Sequence, residues 1–79
     1  MREKALTLRS APVGKKVKVK KLLHTGGMQR RLQAIGLVEG TIVECLQTGP
    51  SGGIAAYLIR GAVIALRCED SARIVVEFI

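Results

Sequence analysis

Tryptophan is absent from this 79-residue chain, and Tyr57 and Phe78 are its only phenyl-ring residues. Proteins that hold single-stranded nucleic acid without sequence preference stack bases on aromatic platforms. Two aromatic residues so far apart make a poor platform, so a nucleic-acid-binding barrel stands only as the alternative reading. Soft metal ligands are equally scarce. His24, Cys45 and Cys68 are the only ones, and their spacing fits neither a CxxC nor an HxxxH site. No GxxxxGK[ST] segment is present; Gly26-Gly27 and Gly52-Gly53 lack the following Lys-Ser or Lys-Thr and read as turns. No run of about 18 apolar residues occurs, so no span is expected to cross a bilayer. Met1 to Arg9 lack the apolar core of a secretory leader. These absences point to a cytoplasmic location, reduced thiols, and no catalytic site, metal or cofactor.

What is present is aliphatic and basic. Apolar residues make up 48% of the chain and charged residues 24%, a globular composition. A chain of this size buries roughly 60–65% of its unfolded surface, enough for one core but not for a deep substrate pocket as well. The sequence therefore reads as one domain over residues 1–79, with its core over about 6–77. Thirteen Lys and Arg against six Asp and Glu give a net charge of +7. That balance suits nucleic acid, an anionic membrane surface or an acidic protein face.

The basic residues are concentrated early, with Lys15, Lys16, Lys18, Lys20 and Lys21 close together. After a turn at Pro12-Val13-Gly14, Lys16-Val17-Lys18-Val19-Lys20 alternates with period two. That pattern predicts a half-buried strand with valines inward and lysines outward. Thr25-Gly26-Gly27 break it. From Met28 the period changes: Met28, Leu32 and Ile35 fall within about 60° on a helical wheel of about 100° per residue, predicting a helix of about two turns. Gly36 suits its left-handed C-cap.

Val38-Glu39-Gly40 reads as a second turn, and Thr41 to Gln47 as a strand with Val43 and Cys45 on one side. Ile54 to Arg60 and Ala62 to Cys68 read as two strands joined tightly at Gly61. Glu69 to Ala72 form a turn, and Arg73 to Phe78 the last strand. Five short strands and one short helix suggest a small closed barrel, with an open five-stranded sheet as the alternative. Ile54 to Ile59, as an aliphatic edge strand, could pair between copies and give self-association.

Several of these segments together resemble the ferrous iron transport protein A (FeoA) family. Met28 to Thr41, MQRRLQAIGLVEGT, resembles its RLxxLGLxPGT segment. Gly61 to Arg67, GAVIALR, resembles its GxxIALR strand, and Ala72 to Val76, ARIVV, its AxxIxV ending. Leu8 to Gly14 fit its opening turn, so the similarity spans roughly residues 6 to 77. Two loops depart from the pattern: Glu39 stands where proline is frequent, and Ser51-Gly52-Gly53-Ile54 lack a GDP turn. The resemblance implies a stand-alone, mainly-β SH3-like barrel, and an accessory role in bacterial ferrous iron uptake on the cytoplasmic part of the GTPase-linked transporter FeoB. The same barrel is also found fused to metal-dependent repressors, but this chain has no helix-turn-helix.

The motif residues define a fold rather than an active site, so contact residues must be sought in the charge pattern. Lys16, Lys18 and Lys20 would project from one strand face at about 7 Å intervals. Together with Arg30 and Arg31 of the helix they are the candidate partner-binding surface; the alternative is an ordinary solvated face. Cys45 and Cys68 read as small strand hydrophobes, His24 as a solvated loop residue, and Glu69-Asp70 as a cap.

Overall fold

A computed structural model describes residues 6–79. A 3-10 turn at Leu8–Ser10 precedes β1 (Lys16–Leu22) and α1 (Gly26–Ala34). Then come β2 (Ile42–Thr48), β3 (Ile54–Ile59), β4 (Ala62–Arg67), the single turn α2 (Cys68–Ser71) and β5 (Ile74–Phe78). The five strands form one antiparallel sheet in the order β4-β3-β2-β1-β5. The fold is mainly β with one short helix, as the alternation and turn signals predict.

Period two decides which side chains go inward. Val17 and Val19 of β1, Val43 and Cys45 of β2, Tyr57 and Ile59 of β3, Leu66 of β4, and Ile74 and Val76 of β5 all enter one core. Leu8, Ala11, Leu32 and Leu37 join it from the connecting segments. Every strand thus lends its inner face to a single apolar centre, around which the sheet is wrapped.

Two register shifts bend the sheet. One lies in β1 between Val19 and Lys21, the other in β2 between Cys45 and Gln47. An extra residue in one strand increases local twist. In β1 it leaves Lys20 and Lys21 both exposed and lets the strand run on to half-buried Leu22, past the last alternating residue, Lys20, and short of the break expected at Thr25-Gly26-Gly27.

The helix begins at Gly26, two residues earlier than the apolar period predicts, and spans nine residues. Leu32 is buried, and Met28 and Ile35 pack against the core. Its end follows the Schellman pattern. The Gly36 N–H donates to the Gln33 carbonyl at 3.0 Å and the Leu37 N–H to the Leu32 carbonyl at 3.0 Å. Gly36 has φ +106°, the left-handed conformation that its predicted role as a cap requires. Leu37 is then delivered into the core fully buried. Arg60 and Gly61 both have positive φ and join β3 to β4 as a two-residue hairpin loop.

Two expectations need correction. Ile54–Ile59 is not an edge strand: as β3 it lies between β2 and β4, and the sheet ends at β4 and β5. Its near-continuous apolar character reflects an interior strand bonded on both sides. His24 is not a solvated loop residue. It is only 6% exposed, because the chain leaving β1 passes beneath α2, where Asp70 lies 3.6 Å away.

Candidate functional site

The outward face of β1 carries Lys16 and Lys18, as the alternation predicts. Its cross-strand neighbours make that face mixed rather than purely basic. Lys16 pairs with Glu44 of β2, while Lys18 pairs with Ile42 of β2 and Glu77 of β5. Lys20 sits at the bulge, its Nζ 3.9 Å from Glu77 Oε1, with both side chains about half exposed. Such a solvated pair contributes little to stability. Arg30 and Arg31 are exposed on α1, on an element separate from the lysine strand. Among the described residues, Lys16, Lys18, Arg30 and Arg31 have no carboxylate within 4.0 Å, which leaves their charges available to a partner. The structure thus brings Lys16 and Lys18 onto one face, displaces Lys20 by the bulge, and holds the two arginines on the helix.

Beside the lysines lies a shallow groove that the charge pattern did not reveal. One cavity of about 450 Å³ is lined by Val38, Glu39, Gly40, Thr41, Ile42 and Arg60. Another of about 200 Å³, lined by Lys16, Ile42, Glu44, Leu58, Arg60 and Gly61, shares two of those residues. Ile42 is 42% exposed, and Leu58 pairs outward with Val63. A cross-strand row therefore runs Lys16–Glu44–Leu58–Val63 over the outer face.

The third feature is a cavity of about 270 Å³ lined by His24, Thr25, Met28, Glu69, Asp70 and Arg73. His24 Nε2 is 3.6 Å from Asp70 Oδ1, and among the described residues neither ring nitrogen has a hydrogen-bond partner. Among the described residues, no group of three His, Cys, Asp or Glu is placed to hold a metal ion. No motif in the sequence marks this cavity: Leu22 before it is half-buried and Leu23 is exposed, so the residues leading into His24 do not announce its burial.

Both cysteines are free, Cys45 buried and Cys68 half-buried. Cys45 faces Tyr57 across β2 and β3. Burial pushes the Cys45 thiol and the Tyr57 phenol above their ordinary pKa values, so both stay protonated at neutral pH. A buried thiol held neutral is packing, not a nucleophile. Among the described residues, no helix is long and apolar enough to cross a membrane.

The sequence family described as FeoA domain matches residues 6–78. No curated protein matches the chain. Among solved structures, the chain is similar to Stenotrophomonas maltophilia FeoA complexed with zinc at 31% identity and TM-score 0.80, covering 92% of this chain and 91% of that one. That relative is described as a prokaryotic SH3 domain protein and a candidate activating factor of bacterial ferrous iron transport. A FeoA-like protein from Clostridium acetobutylicum aligns at 27% identity and TM-score 0.85, covering 99% and 91% of the two chains. Iron(II) transport protein A from Clostridium thermocellum aligns at 27% identity and TM-score 0.90 over 94% of this chain and 46% of its own. The wrapped five-stranded sheet is thus the SH3-like fold of these proteins.

Proposed function

The chain belongs to the FeoA family, and from that premise we propose that it is an accessory protein of bacterial ferrous iron uptake which docks on the cytoplasmic part of a FeoB-type, GTPase-linked transporter. The observation that carries this reading is the family match over residues 6–78. Family membership supports a role in ferrous iron transport; the transporter as partner is the step beyond it. In this reading residues 1–79 act as one domain in the cytoplasm. The chain works by binding and supplies no catalytic group of its own.

Physical chemistry favours a binding role. Among the described residues, the buried polar side chains Ser71 and His24 form no nucleophile–base pair. The unpaired cations lie on the surface, where a charge steers encounter with an acidic partner more than it stabilises the fold. Lys16, Lys18 and Lys20 on β1, with Arg30 and Arg31 on α1, are the proposed contact residues.

The test is charge reversal at Lys18→Glu with Arg30→Glu, measured as affinity for the transporter's cytoplasmic domain. Docking should weaken about ten-fold or more, with greater loss at low salt. Lys18 faces Glu77 across the ladder, so Lys18→Gln with Arg30→Gln serves as the control without added repulsion. Unchanged affinity in both double variants would remove this surface from the reading.

A further inference from the structure

The two ends of the sheet are finished differently. At β5 the Val76 N–H donates to the Leu6 carbonyl at 2.8 Å, and Thr7 forms an antiparallel bridge with Val75. The segment before the 3-10 turn therefore covers that edge. At β4, among the described residues, no backbone group of Ala62–Arg67 bonds outside the ladder with β3.

Natural sheets blunt an open edge with charge, proline, a bulge or a covering segment. Among the described residues, β4 has none of these from Ala62 to Leu66, and its one charge is Arg67 at the end. Its ladder with β3 is unbroken from Ile54↔Arg67 to Ile59↔Ala62. Its five residues before Arg67 are Ala, Val, Ile, Ala and Leu, and Val63 is 67% exposed. The exposed side chains Val63 and Ala65 continue the outer apolar face that Leu58 and Ala56 begin.

Charge decides between occupants. Arg60 precedes β4 and Arg67 ends it, and both are exposed. The nearest acidic residues further along the chain, Glu69 and Asp70, lie beyond the strand in α2. Two copies pairing antiparallel about a two-fold axis must oppose residues of the same face. Centred on Ile64, that pairing sets Arg67 of each copy opposite Gly61 of the other, next to Arg60. It would also join two chains that each carry +7. A strand with acidic ends meets the opposite situation at both arginines.

We propose that the open edge of β4 docks an extended segment of a partner protein, apolar in its centre and acidic at both ends, which adds to the sheet as a sixth strand. Main-chain hydrogen bonds would supply affinity and the alternate side chains specificity. Apolar residues of the segment lie beside Val63 and Ala65, and its acidic ends beside Arg60 and Arg67. This inference does not rest on the transporter reading, since its probe is a peptide and its readout is local to β4.

The experiment uses two labelled peptides sharing the centre Val-Thr-Val-Thr-Val, one with Asp and Glu ends and one with Lys ends. Binding is followed by fluorescence anisotropy, and amide hydrogen exchange locates it. The acidic-ended peptide should bind about ten-fold tighter than the basic one, weaken as salt rises, and protect amides of Ala62–Arg67 but not those of β5. Val63→Lys, at an exposed position, should abolish that protection without lowering the melting temperature appreciably. Equal binding of the two peptides, or binding without protection at β4, would overturn the proposal. So would dimerisation of the free protein, by sedimentation, accompanied by β4 protection without peptide, since the occupant would then be a second copy.

Discussion

The Nε2 atom of His24 lies 3.6 Å from Oδ1 of Asp70, and among the described residues no group donates to or accepts from either nitrogen of that buried ring. The distance is beyond hydrogen-bond range. A buried polar group without a partner costs about 1–3 kcal/mol. His24→Leu, which keeps a similar volume and removes both nitrogens, should therefore leave the urea midpoint unchanged or raise it. Chemical denaturation of the two proteins at pH 8 checks this. A loss of more than about 2 kcal/mol would show that the ring is satisfied in solution and holds the end of β1 to α2.

At Gly36 two penalties should be separable. Its φ of +106° strains any residue with a Cβ, at about 1–2 kcal/mol. A Cβ there would also come within 2.5 Å of the Arg60 Cδ. At Gly14, φ is +87° and nothing lies within 4 Å of such a Cβ, so only the backbone penalty applies. Gly36→Ala should thus be the more destabilising of the two, and adding Arg60→Ala should recover only the excess. Equal losses at both glycines, by equilibrium unfolding, would mean the Arg60 side chain moves aside freely.

Glu39 is the second residue of the turn closed by the Thr41 N–H on the Val38 carbonyl at 3.0 Å, with Gly40 at φ +92°. Positive φ at the third position is the mark of a type II turn, whose second position favours proline. Glu39→Pro should raise stability by about 0.4–1 kcal/mol by restricting the unfolded chain. A lowered melting temperature would show that the Glu39 conformation or side chain contributes more than the loop geometry indicates.

The raised pKa values of Cys45 and Tyr57 set a direction for alkaline stability. Burial is the largest cause in both. The folded state then holds these protons more tightly than the unfolded state does. Their contribution is full below the ordinary thiol value of 9.0 and is lost as pH rises through the folded-state values. Unfolding free energy should fall from about pH 9 upward, and Cys45→Ala should reduce that slope. A flat profile to pH 11 would contradict the burial.

Much of the fold was legible because it is local. The Lys-Val alternation announced β1, the apolar spacing announced α1, and Gly36, Gly40 and Gly61 stand at the turns expected of them. What was hidden depends on partners distant in sequence. The bulge shows in the sequence only as the doubled Lys20-Lys21 where the alternation stops, a pattern that a strand end gives equally well. The apolar run Ile54–Ile59 looked like an edge, yet a strand paired on both sides has the same composition. The burial of His24 is fixed by α2, which is far along the chain. For the candidate site, the sequence identified which lysines face outward. It could not show that Glu44 and Glu77 flank them, because cross-strand register decides that.

The docking of this chain on the transporter is tested most directly by co-purification. The tagged protein is expressed with the FeoB-type transporter of the same source and recovered from detergent extract at moderate salt. Retention of the transporter, lost when its cytoplasmic GTP-binding domain is removed, is the predicted result. Failure to retain the intact transporter at any salt concentration would contradict the docking claim and leave the family and the fold standing.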